Sequence, residues 1–162
     1  MITLRLYQRD DAPALLSLFR DTIRRVNCRD YSPAQLAAWA SDDIDTVSWF
    51  GRFTGRYVSV AEEAGRPVGF AELEPDGHID RVYVSVDHQR RGIGRHLLAA
   101  AVAEARRAGL GRLFTEASIA ARPFFEASKF IVLAPQVVRC RGVEFVNYRM
   151  ERVLAETALI VT

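Results

Sequence analysis

The 162-residue sequence has few of the features that mark several large classes of protein. It contains two cysteines, Cys28 and Cys140, which are too few for a disulfide framework or a cysteine-based zinc site. No apolar run approaches the ~20 residues that span a bilayer, and the N-terminus has no signal-peptide pattern. Low-complexity linkers and internal repeats are also missing. We therefore expect a reduced, cytoplasmic protein with no metal and no membrane partner.

The charge is close to balanced, with 22 Lys and Arg against 20 Asp and Glu. Because the arginines are dispersed and the net charge is only +2, nothing indicates a nucleic-acid partner. A hydrophobic content of 49% with 26% charged residues is typical of a soluble globular protein. The length favours a single domain, which we place at residues 1–150, followed by a C-terminal tail at 151–162. A monomer and a homodimer are both compatible with this sequence.

The most informative motif is the run Gln89–Gly94, which follows a predicted strand and opens a predicted helix. Such a turn leaves backbone N–H groups free at the positive end of a helix, and this arrangement suits phosphate. Gly92 and Gly94 lack Cβ atoms, so the backbone there can approach a ligand closely. Arg90 and Arg91 add charge that a pyrophosphate can use. The run therefore predicts a phosphate-binding loop.

Two better-known phosphate motifs do not fit. The dinucleotide-binding fingerprint needs a third glycine near a first strand, and the P-loop needs Gly-Lys-Ser/Thr. The run instead resembles the Gln/Arg-x-x-Gly-x-Gly/Ala acyl-CoA loop of the GNAT N-acetyltransferase superfamily. A second segment, Ala121–Glu126, is similar to the Ala-x-x-Phe-Tyr-Glu helix of that family, with Phe125 in place of the tyrosine. The resemblance covers roughly residues 2 to 150.

The order of the predicted elements agrees with this resemblance. It runs strand, helices, three strands, helix, strand, helix and two strands, which favours an α/β fold that is not doubly wound. The resemblance implies the GNAT fold, a central mixed β-sheet of about seven strands with a splayed centre, flanked by about four helices. In that fold acyl-CoA lies where the strands splay, and unpaired backbone groups there bind the pantetheine amides.

The resemblance implies acetyl-CoA as the co-substrate. It assigns cofactor contacts to the backbone of the central strand, to the glycine loop with the start of its helix, and to two aromatic residues. These residues are Val82, Tyr83, Val84, Gln89, Arg90, Arg91, Gly92, Ile93, Gly94, Arg95, Phe124 and Phe125. The side chains of the two valines are also expected in the sheet core.

Acetyl transfer to an amine requires a base, because an amine is mostly protonated at neutral pH. We expect Asp80 or Glu116 in this role, with Glu72 and His78 as alternatives. Strand alternation places Asp80 on the same face as Val82. His78 follows a glycine, so an exposed turn residue is the simpler interpretation. Each carboxylate also fits an ordinary solvated or salt-bridged side chain.

The departing thiolate is protonated by the tyrosine of the Ala-x-x-Phe-Tyr-Glu helix in many GNAT members, and Phe125 cannot supply that proton. Since cysteine-like thiols have a pKa of ~8.5, thiolate is a fair leaving group, and the acid role is either vacant or taken by another residue. Tyr148 and Tyr31 are the candidate replacements. Cys140 is disfavoured as a nucleophile, because no Cys-His-Asn arrangement is visible and transfer in the family is direct.

The first helices and the last strand pair are expected to supply the acceptor pocket, as the resemblance implies. Tyr31, Gln35 and Trp39 are the candidate contacts, with Asn27 nearby, because aromatic rings suit an apolar or cationic acceptor. Trp39 fits a helix core equally well, and Trp49 is interpreted as core.

The predicted function is therefore an acetyl-CoA-dependent N-acetyltransferase. It would move the acetyl group to a primary amine, of a small molecule rather than a protein, by direct attack in a ternary complex. Two alternatives stay open, a protein or peptide N-acetyltransferase and a non-catalytic acyl-CoA-binding domain.

Overall fold

A computed structural model describes residues 1–154 of the chain. The seven strands are β1 (Ile2–Leu6), β2 (Tyr57–Glu63), β3 (Arg66–Leu73), β4 (Ile79–Val84), β5 (Arg112–Ala117), β6 (Ile131–Cys140) and β7 (Val143–Val153). The five α-helices are α1 (Ala12–Val26), α2 (Pro33–Trp39), α3 (Thr46–Gly51), α4 (Ile93–Arg107) and α5 (Arg122–Ala127). No helix in this part of the chain is long and apolar enough to cross a membrane.

The strands form two antiparallel sheets, which are the two sides of the expected splayed sheet. Their orders are β1-β2-β3-β4 and β5-β7-β6. The sheets meet at a parallel bridge between His78 and Phe114, where the Phe114 N–H donates to the Gly77 carbonyl at 3.1 Å. Beyond this bridge β4 and β5 diverge, which is the expected splay. The seven strands and the splayed centre are thus confirmed, with five helices in place of about four.

Glycine is required at position 77 for this junction to close. Its φ is +97°, and a Cβ atom built there would lie 2.3 Å from the Arg112 carbonyl oxygen. An L side chain would meet both the conformational strain and the backbone clash. The close approach of the two sheets therefore depends on the turn before β4.

The core has two main layers, one on each face of the first sheet. Helices α1 and α3 cover one face with Phe19 and Trp49, which pack with Phe70 of β3. On the other face α4 places Leu98 in a cluster that also contains Leu113 of β5. Since that cluster draws residues from both sheets, helix α4 holds them together.

A β-bulge distorts β4 beside the junction. Leu73 of β3 pairs with Ile79, whereas the preceding Glu72 pairs with Arg81, so Asp80 is an extra residue on β4. The simple alternation along the strand fails here. Asp80 and Glu72 are bound by the same arginines, so Asp80 does not follow Val82 to the α4 face as strand alternation predicted.

The last strand continues beyond the boundary expected at residue 150. Strand β7 ends at Val153, and Leu154 is buried with its N–H donating to the Gly111 carbonyl at 2.9 Å. The remaining residues of the predicted tail, 155–162, lie outside the described residues.

Candidate active site

The glycine loop follows β4 after a short 3-10 turn at Val86–His88 and leads into α4. Gly92 is the N-cap of the helix in the left-handed conformation, with a φ of +78°. A Cβ on Gly94 would lie 3.2 Å from Phe124, so glycine lets helix α5 approach the loop. Gln89 fixes the loop through a 2.7 Å hydrogen bond from its Nε2 to the Val84 carbonyl. The first N–H groups of α4 have no acceptor within the helix, as a phosphate site requires.

The two arginines of the loop have different surroundings. Arg91 is paired with Glu63 at 2.9 Å, and Glu63 also contacts His88 at 2.9 Å. The hydrogen bonds from Arg91 and His88 lower the pKa of Glu63 to about 2. Arg90 is exposed with a φ of +60°, and Arg95 is exposed in the first turn of α4. Ile93 is buried, so only its backbone faces the loop.

The edge of β4 that faces β5 has no strand partner beyond the His78 bridge within residues 1–154. Val82 and Val84 pack in the core on the α4 face. Tyr83 packs edge-on to Phe19, at 5.1 Å between ring centroids, and its burial raises the pKa of the hydroxyl. The strand therefore combines core side chains with a free backbone edge, as predicted for a pantetheine site.

A cavity of about 240 Å³ opens between the diverging strands. Its wall brings together the predicted residues Tyr31, Trp39, Asp80 and Glu116. The full lining comprises Tyr31, Trp39, Asp80, Arg81, Tyr83, Glu116, Ser118, Val138, Cys140, Phe145 and Asn147. The aromatic rings contact one another, with Tyr31 and Trp39 edge-to-face at 5.5 Å.

The Tyr31 hydroxyl is fully engaged by backbone. It donates to the Val146 carbonyl at 2.8 Å and accepts from the Ile119 N–H at 3.1 Å. Burial raises the pKa of this hydroxyl. Tyr31 therefore fixes the cavity wall across two elements, and its proton is committed to that contact.

Gln35, Tyr148 and Phe125 are among the predicted site residues that do not line the cavity. Gln35 caps helix α2 and donates to the Glu144 carbonyl at 2.8 Å. Tyr148 packs against the α4-side core, with the Arg122 guanidinium 4.6 Å from its ring centroid. Phe125 is 4% exposed and packs edge-on to Phe124. Trp49 lies in the core, as interpreted, with its indole N–H donating to the Ala12 carbonyl.

Asp80 is held by two arginines. Its Oδ2 accepts hydrogen bonds from Arg52 at 2.5 Å and from Arg56 at 2.7 Å. Burial alone would raise the pKa of Asp80, but the Arg56 hydrogen bond and the nearby guanidinium charges hold that pKa below its ordinary value. A carboxylate stabilised in this way is a weak proton acceptor. The structure thus disfavours Asp80 as the base.

His78 connects two carboxylates, and it is not the exposed turn residue that the sequence suggested. Its Nδ1 contacts Glu74 at 2.8 Å, its Nε2 contacts Glu116 at 2.6 Å, and its ring stacks on Phe114. The hydrogen bond to Glu116 raises the pKa of His78 to about 9, although burial acts in the opposite direction. Glu116 keeps 42% of its side chain exposed beside the cavity. Glu116 is also held by a cation, but by one partner where Asp80 has two, and its side chain is more exposed, so it is the better placed of the two to accept a proton from a bound amine.

Arg81 lies in the cavity wall with its guanidinium against two aromatic rings. The Cζ atom is 4.4 Å from the Phe19 centroid and 4.6 Å from the Trp49 centroid. Burial lowers the pKa of this guanidinium. The distance from Arg81 Nη1 to Glu72 Oε2 is 3.8 Å, which is beyond hydrogen-bond distance. Glu72 is fully buried, and its other oxygen, Oε1, binds Arg52 and Arg56.

Glu74, His78 and Asp80 place one potential metal-ligand atom each within 4.8 Å of one another. A cation there would compete with the arginines on Asp80 and with the Glu74–His78 contact. The donor set therefore fits a salt-bridge network better than a metal centre.

The sequence reasoning missed Arg52, Arg56 and Arg81. Arg52 and Arg56 follow α3 in a loop with no motif, and they reach Asp80 only through the fold. Arg81 carries no motif either. Its only signal in the sequence is a charged residue within the predicted strand, between Asp80 and Val82.

Comparison with known proteins supports this assignment of the elements. A family model described as an acetyltransferase (GNAT) domain matches residues 27–152. The uncharacterized N-acetyltransferase YafP of Escherichia coli (strain K12) is 34% identical over 149 residues, which cover 92% of this chain and 94% of that protein.

Solved structures give the same result. A GCN5-related N-acetyltransferase from Rhodopseudomonas palustris is 33% identical with a TM-score of 0.89, covering 94% of this chain and 95% of that chain. PaiA N-acetyltransferase from Thermoplasma acidophilum, in complex with coenzyme A, shares the fold at 16% identity with a TM-score of 0.78. The match covers 95% of this chain and 99% of that chain. YncA from Salmonella typhimurium, with its cofactor acetyl-CoA, also shares the fold, at 23% identity and with a TM-score of 0.73. The match covers 98% of this chain and 96% of that chain.

Proposed function

Because the chain belongs to the GNAT family of N-acetyltransferases, we propose that it transfers an acetyl group from acetyl-CoA to the primary amine of a small molecule. The observation that carries this proposal is the cavity of about 240 Å³ between β4 and β5. It is smaller than typical pockets for drug-sized ligands, which span ~300–1,000 Å³, and it is lined by aromatic rings. A peptide acceptor would need an extended groove.

The chain's features around the loop fit acetyl-CoA. The free N–H groups at the start of α4 suit the pyrophosphate, and the unpartnered edge of β4 suits the pantetheine amides. Gly94 keeps the loop and Phe124 in contact, so this wall is already formed. Two of the neighbours that share the fold carry coenzyme A or acetyl-CoA.

The residues of the cavity then serve direct transfer. Glu116, oriented by His78, accepts the proton that the amine must lose before it attacks the thioester carbon. The amine nitrogen forms the new amide bond as the carbon–sulfur bond breaks, and the electron pair leaves with the thiolate. The second proton that the nitrogen loses on becoming an amide passes to that thiolate, which leaves as the thiol. Phe125 is buried and has no proton to give, so the thiolate leaves without an acid from helix α5.

The experiment is thiol release from acetyl-CoA over a panel of small primary amines and short peptides. We expect turnover with small amines and loss of at least ~10²-fold in kcat/KM for Glu116→Gln. Asp80→Asn is the matched carboxylate control and should cost less. Gly92→Glu, which adds a negative charge to the loop, should abolish acetyl-CoA binding by calorimetry. Intact acetyl-CoA binding without turnover on any small amine would refute the proposal.

A further inference from the structure

The charged groups around the cavity are balanced in number, and they form one connected network. Four carboxylates, Glu72, Glu74, Asp80 and Glu116, stand against Arg52, Arg56, Arg81 and the protonated His78. All eight belong to one network of contacts within 4 Å. The network as a whole is therefore balanced, and three of its members, Asp80, Arg81 and Glu116, line the cavity.

Glu116 is the acidic position. Its carboxylate is bound to His78 and lies on the cavity wall with 42% of the side chain exposed. The other cavity carboxylate, Asp80, already binds both Arg52 and Arg56 through its Oδ2. An ammonium group entering the cavity therefore meets Glu116.

Arg81 is the basic position, and it is the least satisfied of the three guanidinium groups. Its Nη1 is buried and makes no hydrogen bond among residues 1–154, and Glu72 Oε2, 3.8 Å away, has none either. Arg52 and Arg56, in contrast, each contact both Glu72 and Asp80 at 2.5–3.2 Å. A buried donor without a partner carries a desolvation cost that an anionic ligand removes.

The orientation of Arg81 is fixed before any ligand binds. Stacking against the Phe19 and Trp49 rings holds the planar guanidinium in one position. A planar fork held this way matches a carboxylate, which accepts two parallel hydrogen bonds.

Asn147 adds a polar atom to the same wall. Its Oδ1 is buried and also has no partner in the described part of the chain. A carboxamide oxygen accepts hydrogen bonds, so it suits the N–H of an incoming amine. The rest of the wall is aromatic, with Tyr31, Trp39 and Phe145 packed edge-on or tilted to one another.

From this arrangement we propose that the acceptor is an amine that also carries a carboxylate, an amino acid with an apolar or aromatic side chain. Arg81 binds the carboxylate, Glu116 and Asn147 receive the amine, and the aromatic wall takes the side chain. The inference rests on the proposed function, because it names the substrate class of that same cavity. Arg81 is then the residue that determines acceptor specificity.

The test compares three acceptors that differ only at one position, phenylalanine, phenylalaninamide and phenethylamine. Thiol release is measured for each, and rates are corrected for the fraction of unprotonated amine. We expect kcat/KM for phenylalanine to exceed the other two by roughly 10- to 100-fold, which corresponds to hydrogen bonds to a charged group. Equal or higher kcat/KM for phenethylamine in the unaltered protein would overturn the inference and leave the proposed function standing.

Two variants separate Arg81 from the network around it. Arg81→Met should erase the preference for phenylalanine by raising its KM. Arg52→Met removes a guanidinium from the same network but not from the cavity wall, so the preference ratio should persist. A ratio that survives in Arg81→Met would overturn the inference. The acceptor series in the unaltered protein decides the question even if a variant does not fold.

A last measurement distinguishes the two proposals. If acetyl-CoA binds but no amine is turned over, the proposed function fails. Calorimetric titration of phenylalanine and phenethylamine into the coenzyme A-saturated protein then decides the inference. Preferential binding of phenylalanine supports the assignment of Arg81, and equal or undetectable binding overturns it.

Discussion

The protonated His78 is expected to make the stability of the fold depend on pH in the weakly alkaline range. His78 lies at the junction of the two sheets, between Glu74 and Glu116, with 17% of its side chain exposed. The perturbation is His78→Gln, which keeps a hydrogen-bond donor and removes the charge. The quantity of interest is the difference in unfolding free energy between the unaltered protein and the variant.

The magnitude follows from the pKa of His78, which rises from 6.5 to about 9 on folding. A group whose pKa is raised in the folded state binds its proton more tightly there, so its contribution is complete below pH ~6.5 and is lost as the pH rises through ~9. The full shift corresponds to about 3.4 kcal/mol. Because Glu116 is 42% exposed and therefore screened, about 1–2 kcal/mol is the realistic expectation.

The assay is urea unfolding of both proteins at about pH 6 and about pH 9.5. The difference in unfolding free energy should be large at the lower pH and nearly absent at the higher. Taking the difference between the two proteins removes the titration of groups that they share. Glu116→Gln should shrink the same pH window, since it removes the partner that raises the pKa most. A difference that is constant over this range would refute the reasoning.

Two further predictions concern the sheet junction and helix α5. Gly77→Ala should lower the unfolding free energy, measured by thermal unfolding, by ~3 kcal/mol or more, because backbone strain and a backbone clash add. The control is Gly65→Ala, since Gly65 has a φ of +76° with open space around it. That variant should lose about 1–2 kcal/mol, from strain alone. Equal losses in the two variants would show that the clash at Gly77 is not felt. Phe125→Tyr should change kcat by only a small factor in the thiol-release assay. It should also lower the unfolding free energy by ~1–3 kcal/mol, because the new hydroxyl is buried where Phe125 is 4% exposed. A large gain in kcat would show that an acid was needed.

The glycine loop could be predicted from the sequence because its signal is local. Residues Gln89–Gly94 join a strand to a helix within a few positions, and the spacing of the two glycines defines the turn. The cavity residues Tyr31 and Trp39 were reachable in part, through the order of elements and the family resemblance. The element order and the family could therefore be predicted from the sequence alone.

The charged network could not be predicted, because it depends on tertiary closure. The bulge that redirects Asp80 forms where β3 and β4 shift register, and strand alternation carries no sign of it. Arg52 and Arg56 reach that carboxylate from a loop 28 and 24 residues away. His78 becomes a bridging residue only because Phe114 of the other sheet lies beside it.

The junction at His78 and Phe114 decides what sets the width of the cleft. The sheets share hydrogen bonds only near this point in the described residues, and α4 lies across both of them. Beyond the junction, no ladder within residues 1–154 fixes the distance between β4 and β5. The width of the cleft therefore depends on the side chains packed under α4, which belong to the core and not to the cavity wall.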